Sequence, residues 1–239
     1  MLRTSLMKKR PKETTSYTTH YKMKTIAVIP CYNEGKTIAE VIKKTKKHVN
    51  KVIVVNDGST DNTEKQAKKA DLVLNHIVNM GKGLALKTGI EAAIKNKADI
   101  IVTLDGDMQH DPYDIPRLLN KIKKGADIVI GCRELDKNMP LTLKFGNWFL
   151  YNSFKALFKV DIHDTQSGFR AIRSSIYQKL KWNTSGYAVE TEMLVNLDKN
   201  HLKYKEIPIK TVYSDKYKGT SVIDGVKIFL SMVLWKLKL

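Results

Sequence analysis

The sequence predicts an α/β protein built on a mainly parallel, doubly wound sheet. Two observations point there. Short runs rich in Ile and Val recur from Lys24 to Arg133, and they are apolar throughout rather than alternating, as strands covered on both faces must be. Segments of helical periodicity separate them, the alternation that parallel strands joined by helical crossovers require.

Taken in order, Thr25–Pro30, Lys51–Asn56, Leu72–Asn75, Ile100–Asp105 and Asp127–Gly131 read as buried strands. Thr37–Val49, Thr60–Ala70, Lys82–Asn96 and Asp114–Lys124 read as the helices between them. The third helix offers Leu84, Ala85, Thr88, Ile90 and Ala92 to a sheet. After Arg133 the rhythm changes. Pro140–Val160 is an amphipathic helix carrying Phe145, Trp148, Phe149, Phe154 and Phe158, interrupted by Lys144, Asn147, Asn152 and Lys155. A second basic and apolar helix, Val226–Leu239, closes the sequence. Either helix can pack on the core or lie in a membrane interface, and the terminal one is the better suited to an interface. The expected organisation is a basic arm over 1–23, an α/β domain over 24–220 that includes the 140–160 helix, and a terminal amphipathic helix over 221–239.

Charge narrows the partners. Among 239 residues, 42 Lys and Arg face 24 Asp and Glu, a net charge of +18. Such an excess calls for an anionic partner: phosphates, nucleic acid or a lipid surface. Two cysteines, Cys31 and Cys132, exclude a disulfide framework and a cysteine-rich zinc site, and fit a reducing compartment. No stretch of about 18 apolar residues exists to span a bilayer. The N-terminal stretch lacks the apolar core of a secretory signal.

In an open parallel sheet, ligands bind beyond the carboxyl ends of the strands. Those ends read Pro30-Cys31-Tyr32-Asn33-Glu34, Asn56-Asp57-Gly58-Ser59-Thr60-Asp61, Asp105-Gly106-Asp107-Met108-Gln109-His110 and Gly131-Cys132-Arg133. Polar groups therefore collect on one rim. Asp105 and Asp107, two positions apart as the chain leaves a strand, can share one hard divalent cation with Gln109 as a third oxygen donor. Asp57 is either a turn residue or an acceptor for a base or ribose, and Ser59 or Thr60 is placed to cap the following helix. Asn79-Met80-Gly81-Lys82-Gly83 opens a helix whose amides favour an anion, with Lys82 placed to pair with a diphosphate. The dinucleotide fingerprint is absent after the first strand. Gly35-Lys36-Thr37 fails as a P-loop because Pro30 stands where the leading glycine belongs. Ser167-Gly168 lacks the glycine spacing of a nucleophile elbow.

These motifs, followed by Asp164-Thr165-Gln166-Ser167-Gly168-Phe169-Arg170, occur in the order seen in family 2 glycosyltransferases. The set resembles the branch that makes polyprenyl- or dolichyl-phosphate sugars and covers residues from about 24 to 220. The resemblance implies a GT-A fold, a nucleotide-diphosphate sugar donor, Mg²⁺ or Mn²⁺, and inverting transfer to a polyprenyl or dolichyl phosphate. It assigns Pro30, Tyr32, Asn33, Glu34 and Asp57 to the nucleoside. Asp105 goes to nucleotide or metal, and Asp107 and Gln109 to the metal. Arg133 and Arg170 go to the phosphate charges. Asp164, Glu190 and Glu192 are candidates for a base or for sugar contacts, the alternative of a helix-surface or capping carboxylate suiting Glu192 more than Asp164. The Asp164–Phe169 segment is closer to relatives using UDP-sugars than to those using GDP-mannose. Many relatives append transmembrane helices. Here the amphipathic segments and the lysine-rich loop Lys210–Lys218 would supply contact with an anionic membrane, placing the protein peripherally on its cytoplasmic face.

Three rivals remain. One is a family 2 enzyme with a soluble or glycan acceptor, and another is a nucleotidyltransferase releasing pyrophosphate. The last, a nucleic-acid-binding protein, fits the charge but lacks any readout motif, so no nucleic-acid partner is expected. Asp107→Ala is expected to abolish turnover while leaving the circular dichroism spectrum and unfolding midpoint intact. Full activity in that variant would remove the carboxylate-pair assignment.

Overall fold

The computed structural model describes residues 23–133, 141–211 and 222–238. The expected N-terminal arm and most of the lysine-rich loop lie outside them. β1 (Thr25–Cys31), β2 (Lys51–Asp57), β3 (Leu72–His76), β4 (Ile100–Thr103) and β5 (Ile128–Arg133) form where the apolar runs predict. Between them lie α1 (Ile38–Thr45), α2 (Thr63–Ala67), α3 (Lys82–Lys95) and α4 (Ile115–Lys123). The later half adds α5 (Leu141–Phe158), β6 (Arg170–Arg173), α6 (Tyr177–Leu180), α7 (Val189–Lys199), β7 (Tyr204–Ile209) and α8 (Val222–Leu237).

The strands make one sheet in the order β3-β2-β1-β4-β6-β5-β7. All pairings are parallel except those of β6, which runs antiparallel to both β4 and β5. This reversal positions the site. The start of β6, not its end, lies on the rim where the parallel strands finish, with Arg170 opposite Thr103. The segment Asp164–Phe169 is thereby delivered to the same rim as the first three polar loops.

Alternation along β1 shows why the sheet needs cover on both sides. Ala27 and Ile29 face a core shared with Ile38, Val41 and Ile42 of α1 and with Ile115, Leu118 and Ile122 of α4. Ile26 and Val28 face the opposite core, with Leu86, Ile90 and Ala93 of α3 and Val189 and Met193 of α7. Helix α3 sits close on this sheet because Gly89 carries no side chain; a Cβ there would lie 2.3 Å from Val28 Cγ1. A third core joins Ile128, Ile130 and Ile172 to Leu150, Phe154 and Phe158 of α5 and Ile228 and Met232 of α8.

Several expected boundaries move: α1 ends at Thr45 rather than Val49, α8 begins at Val222 rather than Val226, and two further changes bear on the site. The helix predicted over Thr60–Ala70 shrinks to five residues, with Asn62 at its N-cap and no capping side chain. Ser59 and Thr60 do not cap it, because they are engaged by the loop after β1 instead. Asn33 N donates to Ser59 Oγ at 2.9 Å, and Thr60 N donates to Asn33 Oδ1 at 2.9 Å. The fourth strand ends at Thr103 rather than Asp105, so both carboxylates stand clear of the sheet.

Both amphipathic helices do two things at once. They bury one stripe in the third core and meet each other through Phe149 and Phe229, whose rings are 5.2 Å apart. They also leave Phe145, Trp148, Ile223, Val226, Leu230 and Leu234 more than half exposed. Core packing and an outward apolar face, alternatives in the sequence, coexist. Among the described residues, no helix is long and apolar enough to cross a membrane.

Candidate active site

The loops after β1, β2 and β4 surround a cleft of about 520 Å³. Pro30, Tyr32, Asn33 and Glu34 line it from β1, Asp57 from β2, and Asp105, Gly106 and Asp107 from β4. Lys82 contributes from the start of α3, and Gly186 and Tyr187 from the loop before α7. The first two loops are sewn together. Besides the Asn33 contacts, Glu34 N donates to Thr63 Oγ1 at 2.7 Å and Gly35 N to Asp61 Oδ2 at 3.1 Å. Asn33 adopts a left-handed backbone, φ 55°, to make this turn.

At the centre, Lys82 Nζ lies 2.8 Å from Asp105 Oδ1 and 2.8 Å from Glu190 Oε1. Burial opposes the charge on Lys82, but the two carboxylates outweigh it and raise its pKa. Burial likewise raises Asp105, and Lys82 brings it below the usual carboxylate range. Asp107 has no such cation. Burial first, and then the charge of Asp105, push it up to about 6. Its Oδ1 accepts a hydrogen bond from Gln109 N at 3.0 Å, and this bond and the charge of Lys82 offset the rise only in part. Gly168 lies against this cluster, since a Cβ there would be 2.8 Å from Asp105 Oδ2 and 3.0 Å from Lys82 Nζ. Thr103 Oγ1 fixes that backbone by donating to Gly168 O at 2.7 Å.

Two acidic oxygens pushed together with one carboxyl destabilised as an anion are what a divalent cation would relieve, so this pair fits one. Among the described residues no three His, Cys, Asp or Glu side chains converge as a metal cluster. A cation here therefore needs further oxygens, such as those of a ligand; Gln109 is buried, with its backbone amide on Asp107 Oδ1.

Asp57 is more committed than expected of a nucleoside acceptor. Its Oδ1 receives His76 Nδ1 at 2.6 Å and Met80 N at 2.9 Å, and its Oδ2 receives Gly81 N at 2.8 Å. His76 in turn meets Thr88 Oγ1 at 3.1 Å. Asp57 thus ties the end of β2 to the turn that starts α3. Nothing in the sequence marked His76 for this. Arg133 holds Asp164 through Nε at 2.7 Å and Nη2 at 2.8 Å, a paired fork reinforced by its own amide at 3.1 Å. Asp164 is therefore an ion-pair partner here rather than an unpaired base.

Arg170 departs from the position expected of a phosphate-binding arginine. It is 1% exposed, and its guanidinium donates to the carbonyls of Ser167, Glu190 and Thr165. Burial lowers its pKa to about 10. It braces the strand start against α7 from beneath. Glu192 behaves as a capping carboxylate, accepting from Asn183 N at 3.0 Å and Thr184 N at 2.9 Å. Tyr187 and Gly186 are lining residues that no sequence motif announced.

The family comparison agrees with this architecture. The glycosyl transferase family 2 model matches residues 26–181, and the chain belongs to that family of inverting glycosyltransferases. It is 35% identical to the UDP-N-acetylglucosamine–dolichyl-phosphate N-acetylglucosaminyltransferase of Methanococcus voltae, over 88% of this chain and 95% of that protein. It is 27% identical to the dolichol-phosphate mannosyltransferase of Pyrococcus furiosus, over 90% of this chain but 65% of that longer protein. Glucosyl-3-phosphoglycerate synthase from Mycobacterium tuberculosis, solved with Mn²⁺, UDP-glucose and phosphoglyceric acid, superposes with a TM-score of 0.71 at 20% identity. That match covers 90% of this chain and 79% of the other, and shows a shared GT-A-like fold.

The Arg133–Asp164 pair generates a pH prediction. Burial raises the Asp164 carboxyl, but Arg133 holds it below the usual range. Its folded pKa thus lies under the value of about 3.9 expected in an unfolded chain. The ionised form stabilises the fold above that pH, and the contribution is lost as pH falls through the folded value. Asp164→Asn is expected to lower the urea-unfolding free energy by about 3 kcal/mol at neutral pH, the cost of leaving a buried arginine without its anion. The gap between variant and parent should narrow below about pH 4. A gap that stays constant down to acid pH would show that the pair contributes nothing through charge.

Proposed function

We propose that this enzyme transfers a monosaccharide from a nucleotide-diphosphate sugar, a UDP-sugar by preference, to the phosphate of a polyprenyl or dolichyl lipid. The observation that carries the reading is the Asp105–Asp107 pair sharing one cleft with Lys82 and the sewn loops after β1 and β2. The identities point the same way. The relative named for a UDP-sugar is 35% identical, and the mannosyltransferase 27%.

Pro30, Tyr32, Asn33 and Glu34 hold the nucleoside, with Asp57 shaping the floor through the turn it secures. Asp105, Asp107 and Gln109 would hold Mg²⁺ or Mn²⁺, the ions with which neighbours of the same fold were solved together with UDP. When bound, the cation offsets the negative charge of the diphosphate. Lys82, kept protonated by Asp105 and Glu190, adds a fixed positive charge beside the leaving group. Arg133 stands on the same rim, its fork held in place by Asp164. Such preorganised electrostatic donors are each worth about 3–4 kcal/mol of barrier.

The step needs no strong base. An oxygen of the acceptor phosphate, already anionic near neutral pH, attacks the anomeric carbon from the face opposite the diphosphate. The carbon–oxygen bond to the diphosphate breaks, its electron pair leaves with the nucleoside diphosphate, and the configuration inverts. The exposed apolar faces of α5 and α8 set residues 24–220 against the lipid surface, with 221–239 as the terminal interfacial segment. Net positive charge then favours an anionic cytoplasmic leaflet.

Transfer is tested with a panel of radiolabelled UDP- and GDP-sugars, polyprenyl phosphate and Mn²⁺ or Mg²⁺, followed by organic extraction. EDTA-sensitive label in the lipid phase from a UDP-sugar is the expected result. Label only from a GDP-sugar would correct the donor, and turnover without lipid label would move the acceptor to a soluble molecule. For the surface, replacing Phe145 and Trp148 together by serine is expected to weaken co-sedimentation with phosphatidylcholine–phosphatidylserine vesicles by at least tenfold. That corresponds to about 1.4 kcal/mol, less than the burial of a single large aromatic supplies. Unchanged sedimentation would remove α5 from the interface.

A further inference from the structure

The loop between α6 and α7 is built as a rigid wall. Trp182 Nε1 donates to Gly83 O at 3.0 Å, and Gly83 N donates to Ser185 O at 2.6 Å. Glu192 holds the amides of Asn183 and Thr184 from the other side. The contact with α3 leaves no room for side chains. A Cβ on Gly83 would lie 2.1 Å from Thr184 O, and one on Gly81 would lie 2.5 Å from Ser185 O. After these pinned residues the chain opens. A Cβ on Gly186 would meet nothing within 4 Å, and Tyr187, which follows, lines the cleft with its side chain 45% exposed.

Tyr187 stands between two regions that the reaction must connect. On one side Tyr187 lines the same cleft as Lys82 and Asp105. On the other, Ala188, the next residue, packs in the third core with Ile228 and Met232 of α8. The first turns of α8 leave Ile223 and Val226 exposed. Burial keeps the phenol protonated, so it is a hydrogen-bond donor near neutral pH. The loops after β1 and β2 line the same cleft.

We propose that Tyr187 receives the acceptor: its hydroxyl donates a hydrogen bond to the incoming phosphate monoester, and its ring carries the adjoining apolar chain from α8 into the cleft. The inference rests on the lipid-phosphate reading above and adds a specificity-determining residue to it.

The test compares the full-length protein with Tyr187→Phe and Tyr187→Ala. Two quantities are measured: the KM for polyprenyl phosphate under saturating donor, and the affinity for UDP in Mn²⁺ by calorimetry. Tyr187→Phe is expected to raise the acceptor KM about tenfold, the loss of one hydrogen bond to a charged group. Tyr187→Ala should raise it further, and UDP affinity should stay unchanged in both. An unaltered acceptor KM in both variants overturns the inference. So does a parallel loss of UDP affinity, which would place Tyr187 on the donor or in the fold. If the unaltered enzyme transfers nothing to polyprenyl phosphate while turning over donor, the functional reading fails first and takes this inference with it.

Discussion

Lys82 holds three separate parts of the chain together. Its ammonium, at the start of α3, bridges Asp105 beyond β4 and Glu190 at the start of α7. Charges this deeply placed are tolerated only when paired, so each of the three elements is held where its partner requires it. One ammonium facing Asp105, Glu190 and the nearby Asp107 still leaves the cluster negative. The cleft is therefore organised around one ammonium and the carboxylates that surround it. Gly168 lets the backbone press on this cluster, and Gly168 is there because β6 enters the sheet in reverse.

What could be read from the sequence follows from burial. β1, β2, β4 and β5 are legible because strands covered on both faces carry apolar runs; β3, expected to be buried, is a part-buried edge strand, legible from its short Leu-Val-Leu run. β6 and β7 are not. β6 is four residues, Arg170–Arg173, and its first arginine is buried by carbonyl partners that come from residues 165, 167 and 190. No local pattern announces that. β7 alternates exposed Lys205 or Pro208 with buried Ile207 or Ile209, and its proline discourages assignment to a sheet. The rim motifs were legible because each polar run follows a recognisable strand. Their internal bonding was not: Asp57 meets His76 only because β2 and β3 lie side by side. Tyr187 was invisible because its loop reaches the cleft through contacts with α3, far away in sequence.

The amphipathic helices show why the choice between core and surface was a false one. A helix of 18 residues such as α5 has enough turns to serve both. Its later part, Leu150, Phe154 and Phe158, closes the third core, and its earlier part leaves Phe145 and Trp148 outward. α8 repeats the division with Ile228 and Met232 inward and Leu230 and Leu234 outward. Apolar surface of this kind, continuous over two packed helices, is what a protein that meets a lipid or another macromolecule leaves uncovered.

The wall before α7 also bears on how such a cleft can change over generations. At Gly81 and Gly83 any side chain would collide with backbone carbonyls, so a change at either position forces the wall and α3 apart. Gly186 is the opposite case: it lines the cleft, and a Cβ there would meet nothing within 4 Å. A small side chain introduced there narrows the cleft or adds a polar group to it. Diversification of what the cleft admits can thus begin at one permissive position set between inflexible neighbours.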